Sequence, residues 1–249
     1  WDVDSEQHAD IIVIKSTLTT DIVLGYLWWC LLTFISLFNC YMVSQYWRQS
    51  VRAKLNALQV KMLYLSSIYV VVCAIRAIWP RKDGDRVCFI DHPISTVLVG
   101  RSIATVAELC FTEQLSLVLT ETIRKYTFDM KSSVFMQACQ YYVPFICVAE
   151  VFSWIGVITT CQLWHAVEES IWMLCGLHMT ISYIILYRSQ TSPTTAAADR
   201  RHFVGFIVCG VCFVVFMCMV DVPMYVTRYY VDTYVNGVEY LRLSDGILD

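Results

Sequence analysis

Charge is scarce in this chain: Asp, Glu, Lys and Arg make up 16% of its residues, and the formal net charge is only −3. No basic patch interleaved with exposed aromatics occurs, so nucleic acid is not an expected partner. The signatures of several large enzyme classes are also missing. There is no His-Glu-x-x-His, no Gly-x-Ser-x-Gly, no Gly-x-x-x-x-Gly-Lys-Ser/Thr and no membrane-embedded His-x-x-x-His. Zinc proteases, serine hydrolases, P-loop transport and histidine-ligated lipid hydrolases therefore lose their usual marks. The last apolar run holds no lysine near its middle, which leaves a retinal Schiff base without an attachment point. No internal repeat is evident. No initiating Met or basic leader region precedes Trp1, so these residues predict no signal peptide.

What the chain does have is apolar length. Of its 249 residues 57% are hydrophobic, and the mean hydropathy is +0.56. The charges cluster between apolar runs of roughly twenty residues, the length that crosses a hydrocarbon layer of ~30 Å. The fold class expected is all-α: a polytopic integral membrane bundle forming one transmembrane domain over 1–249. Six spans are predicted at about 22–46, 62–79, 95–122, 135–159, 166–187 and 203–226. A seventh beyond Asp249 is left open. Most of the twelve cysteines fall inside these spans and read as small apolar packing residues. Cys88 and Cys161 fall at span boundaries on one predicted side, which makes them a candidate disulfide pair in an oxidising compartment.

Basic residues mark one set of span ends: Arg48, Arg52, Lys54 and Lys61, then Arg124, Lys125 and Lys131, then Arg200 and Arg201. Short loops rich in Lys and Arg stay cytoplasmic, so the amino terminus is expected outside or in a lumen. Pro80 should end the second span and Pro144 should kink the fourth. Asp83-Gly84 signals a turn between the second and third spans. Asn236-Gly237, flanked by Tyr234-Val235 and Val238-Glu239-Tyr240, predicts an outer-side hairpin over about 230–243 with a type I′ turn.

The third span carries the unusual residues. Arg101, Thr105, Glu108 and Thr112 are spaced by four, three and four, which places them on one helical face. A charge at mid-bilayer costs at least ~2.5 kcal/mol, so such residues pair with one another or line a cavity. On the fourth span Glu150 shares a face with Ser153, Trp154 and Val157, and on the sixth Asp221 lies in the outer part. Two carboxyls held in different protonation states are what acid/base chemistry or proton transfer requires. Glu108, Glu150 and Asp221 are the acid/base candidates. Arg101 is read as an anion contact or counter-ion, with Trp154, Trp172 and Tyr225 as apolar walls.

Glu168 and Glu169 are read as first-turn residues of the fifth helix, where the helix dipole favours acids. His165-x-x-Glu168 has a spacing seen in di-metal carboxylate sites, but one such pair, even with His178 available, falls short of a ligand set; no metal and no cofactor are predicted. The leading expectation is a polar pocket, open to the outer or lumenal leaflet, that binds or converts a small or lipid-like ligand. The alternatives are a non-catalytic subunit among membrane protein partners and a proton or cation pathway. Membrane lipids are expected partners in every case.

Overall fold

The computed structural model describes residues 3–50, 55–82, 87–88, 96–126, 135–189 and 197–240. It is all-helical apart from two-residue strands at Arg81–Lys82 and Val87–Cys88, which pair antiparallel. Among the described residues six helices are long and apolar enough to cross a membrane, the architecture of a multi-pass membrane protein. The Asp83-Gly84 turn lies outside the described residues.

Helix α1, Val3–Ser50, is unbroken and packs mainly on α2, Ala57–Ile78. Side-chain donors on α1 reach backbone carbonyls at the far end of α2: Trp29 Nε1 donates to Ile78 O at 3.3 Å and Thr33 Oγ1 to Ala77 O at 3.1 Å. Nearer the turn between them, Trp47 Nε1 donates to Ser67 Oγ at 2.7 Å. In an apolar solvent these bonds fix the register of two otherwise greasy surfaces.

Helix α2 begins five residues before its predicted start. Asn56 caps it, its side chain accepting from the Gln59 amide at 2.8 Å while Gln59 accepts from the Asn56 amide at 3.0 Å. This capping box satisfies two orphan donors and extends the helix beyond its apolar stretch. Pro80 follows the last turn as expected. Helix α3 runs Val97–Tyr126.

The fourth span is not one kinked α-helix. A 3₁₀ turn at Ala138–Tyr141 precedes α4, Tyr142–Thr159, so Pro144 falls in the first α-helical turn. In a first turn the fixed φ of proline fits the helix and its ring meets no long α-helical stretch before it. Thr160, at φ +61°, caps α4 in the left-handed region, and α5, Gln162–Ser189, starts two residues later. That start is four residues earlier than predicted.

Helix α6, Ala197–Phe216, passes through a π-turn at Met217–Asp221 into α7, Val222–Tyr230. Pro223 supplies the cause: it cannot donate to the carbonyl one turn back, and the helix widens so that the Val222 amide reaches Met217 O.

Among the described residues, which end at Tyr240, the predicted hairpin is replaced by helix. Tyr230 leads into a second π-turn, Val231–Val235, and Gly237 at φ +62° closes it, with the Val238 amide donating to Asp232 O at 2.9 Å. Asn236 has φ −94°, whereas a type I′ turn requires positive φ at both central residues. The same Gly that permits a tight hairpin also permits a helix C-cap.

Small residues set the helix crossings. A methyl group on Gly156 of α4 would lie 3.0–3.2 Å from the His165 ring on α5. One on Gly176 of α5 would lie 2.6 Å from the Phe213 ring on α6. The dry core lies near the basic end, where Leu119, Ile123, Tyr142, Tyr183, Leu186 and Phe203 are buried together. The same half holds a polar staple: His178 Nε2 donates to Phe135 O at 2.9 Å, so Nδ1 is left to accept from the Tyr142 hydroxyl at 2.7 Å. Both nitrogens of His178 are thereby occupied in tying the start of the fourth span to α5. Cys161 is a buried free thiol, and the side chain of Cys88, its candidate disulfide partner, lies outside the described residues.

Candidate functional site

The end of the bundle opposite the dry core is polar. On α3, Arg101 sits in the second turn with Thr105, Glu108 and Thr112 behind it on the same face, and the Arg101 side chain is only 7% exposed. Helix α4 presents Glu150 to this face. Because α5 starts at Gln162, it brings His165 in its first turns and Glu168 one turn further on.

These pieces converge on one nitrogen. Arg101 Nη2 donates to Glu150 Oε2 at 2.7 Å and to Glu168 Oε1 at 3.0 Å, and Glu108 Oε2 lies 3.6 Å away. The bridge to Glu108 is thus made despite the roughly 10 Å that seven residues span along a helix, because both side chains lean together. Thr105 Oγ1 donates to Glu150 Oε2 at 2.5 Å and itself accepts from Trp154 Nε1 at 3.2 Å. His165 Nδ1 pairs with Glu168 Oε2 at 3.0 Å; a carboxylate only accepts, so this nitrogen carries the proton. Arg101 Nε and Glu150 Oε1 are buried without a hydrogen-bond partner.

The carboxyl oxygens of Glu108, Glu150 and Glu168 lie within 4.8 Å of one another, a spacing that suits a cation. The position between them is already taken by Arg101 Nη2, which stands within 3.6 Å of all three. A metal ion there would face the guanidinium as a like charge. Three carboxyls against one guanidinium is a formal excess of −2.

A cavity of about 520 Å³ adjoins the cluster. Arg101, Glu108, Glu168, Glu169 and His165 face it, joined by Arg76 from the last turn of α2 and Arg228 from α7. Its aromatic walls are Tyr69, Phe111, Trp172, Phe213 and Tyr225. A second cavity of about 260 Å³ shares Phe111, Trp172 and Phe213 with the first and is otherwise lined chiefly by apolar groups, among them Leu115, Ile146, Met179 and Phe206. The two cavities therefore adjoin at these three aromatic side chains.

Of the residues singled out from sequence, Arg101, Glu108 and Glu150 meet directly, and Trp172 and Tyr225 line the polar cavity. Trp154 is not among the lining residues; its indole is turned to Thr105 and braces the network from behind. Asp221, half-buried at the end of the π-turn, is not among the carboxylates that pair with Arg101. Glu168 corrects the sequence reading: it lies in the second turn of α5 and is as buried as Glu150, at 5% of its side chain. The helix dipole does not account for it. The signal that marked it was the His165-x-x-Glu168 spacing, which serves an imidazole–carboxylate pair.

No protein-family model matches this chain, and neither a curated protein nor a solved structure shows significant similarity to it.

Proposed function

We propose that this multi-pass membrane protein binds a small lipid-like amphiphile at the bundle end opposite its basic clusters, the polar group beside the Arg101 cluster and the chain in the apolar cavity. The observation that carries this reading is the shared wall of Phe111, Trp172 and Phe213 between a charged cavity of about 520 Å³ and an apolar one of about 260 Å³. Ligand sites combine apolar walls with a few convergent polar groups, and a charged cavity continued by a greasy one is complementary to a head and a tail.

Within the cluster the carboxyls divide their work. Glu150 is held by both Arg101 and Thr105, and Glu168 by both Arg101 and His165. Glu108 has the longest contact with Arg101, and its side chain is 23% exposed toward the cavity. It is the carboxyl through which the network meets a ligand and exchanges a proton with it. With the basic loops on the cytoplasmic side, the cavity opens toward the outer or lumenal leaflet. A proton or cation pathway fits less well, since an apolar chamber lies beside the polar one. The subunit reading draws on the exposed apolar surface of α1, which lipid covers equally well.

The test is identification of co-purifying amphiphiles by native mass spectrometry, comparing the unaltered chain with Cys175→Phe, which fills the apolar cavity. Retention by the first and loss by the second, with folding unchanged, is the expected result. Equal retention by both overturns the assignment.

A further inference from the structure

Two charged residues of the polar cavity stand apart from the network. Arg101, Glu108 and Glu168 are joined in the cluster, and Arg228 Nε faces Asp232 at 3.9 Å. Arg76, exposed at the end of α2, and Glu169, half-buried on α5, also line the cavity, and among the described residues neither makes a hydrogen bond or ion pair, with each other or with any third group. One wall therefore offers an uncommitted guanidinium and another an uncommitted carboxyl. The space beside Glu169 is aromatic. Trp172 lies three residues on along α5, one turn away on the same face, and the Tyr225 ring sits 5.5 Å from that of His165.

We infer that the ligand is a zwitterionic amphiphile, with an anionic phosphate or carboxylate on Arg76 and an ammonium on Glu169 between Trp172 and Tyr225. This rests on the amphiphile reading above and narrows it to a charge pattern. A guanidinium binds an oxyanion through paired N–H donors, and an ammonium between aromatic faces gains from their quadrupoles as well as from the carboxylate. A ligand with both charges neutralises both walls at once, whereas an anion alone leaves Glu169 unmatched and a cation alone leaves Arg76 unmatched. The three aromatic residues common to both cavities then flank the chain of the amphiphile between the headgroup and the apolar cavity.

The experiment measures binding of four amphiphiles of equal chain length to the purified full chain: lysophosphatidylcholine, lysophosphatidic acid, a monoacylglycerol and an alkyltrimethylammonium. Glycerophosphocholine serves as the headgroup without a chain. Lysophosphatidylcholine should bind tightest. Arg76→Gln should weaken lysophosphatidylcholine and lysophosphatidic acid by about tenfold, the worth of one charge-assisted contact, and leave the alkyltrimethylammonium unchanged. Glu169→Gln should weaken lysophosphatidylcholine and the alkyltrimethylammonium and spare lysophosphatidic acid. Arg76→Lys and Glu169→Asp, which keep the charges, should recover most of the loss. Monoacylglycerol binding as tightly as lysophosphatidylcholine, or variants that weaken all four probes alike, overturns the zwitterion and leaves the amphiphile reading standing. Failure of all four to bind overturns both. Glycerophosphocholine binding as tightly as its acylated form retains two-charge recognition and overturns the role of the apolar cavity.

Discussion

Arg101 on α3 and Glu168 on α5 meet at 3.0 Å across 67 positions of sequence. The contact ties the second turn of one span to the second turn of another, and Glu150 of the span between them closes the triangle.

Removing Arg101 leaves three carboxyls without their shared partner, so Arg101→Gln should destabilise the fold by about 3–5 kcal/mol, the range for breaking a buried ion pair. Glu150→Gln should cost less, because Arg101 keeps its bond to Glu168. Arg101→Met combined with Glu150→Leu should recover only the share of the loss that Glu150 accounts for, because Glu108 and Glu168 still lack their cation. Thermal unfolding in detergent compares the variants, and strict additivity would contradict the pairing.

Glu108→Gln should behave differently. Its contact with Arg101 is the loosest of the three, at 3.6 Å, and the cluster already holds more carboxyls than cations. Stability should change by no more than about 1 kcal/mol, while the co-purifying ligand is lost. A large fall in melting temperature with ligand retained would make Glu108 a packing residue.

Gly156→Ala places a methyl group 3.0–3.2 Å from three atoms of the His165 ring. The ring must shift, loosening its bond to Glu168 at a cost of about 1–3 kcal/mol. Adding His165→Ala removes the obstruction, so the double variant should be less destabilised than the sum of the two single changes.

His178→Phe should strand the hydroxyl of buried Tyr142, costing about 1–3 kcal/mol, while the Phe135 carbonyl, at an exposed position, adds less. Tyr142→Phe added to it should cost little more, because the hydroxyl has then already lost its partner. Chemical denaturation of the single and double variants checks this.

The positive-inside assignment predicts opposite labelling at opposite bundle ends. In a background without other reactive cysteines, Ser50→Cys and Arg124→Cys should resist an impermeant thiol reagent added outside intact cells, and Asn236→Cys should react with it. Equal labelling of all three would overturn the orientation.

The places where sequence and structure part have physical causes. Asn56 and Gln59 extend α2 by capping, which a hydropathy threshold does not register. Pro144 and Pro223 are absorbed by a 3₁₀ turn before one helix and a π-turn before the other, because a helix end or a widened turn satisfies the backbone that a proline leaves unpaired. Asn236-Gly237 needs left-handed backbone only at the glycine, and the helix before it claims that freedom for its own cap.

By itself the sequence determined the six membrane-length helices, through apolar runs bounded by charge, and the polar stripe of Arg101, Thr105, Glu108 and Thr112, through helical spacing alone. Both follow from local periodicity, which any reader of the chain can count. Only the tertiary structure decided which carboxylates reach Arg101. That choice depends on where α5 begins and how closely α4 and α5 approach at Gly156, because a start four residues earlier than its apolar run suggests carries Glu168 from the first turn into the second, where it faces the arginine. Spacing assigns a residue to a face of its own helix; the packing of other helices decides what that face meets.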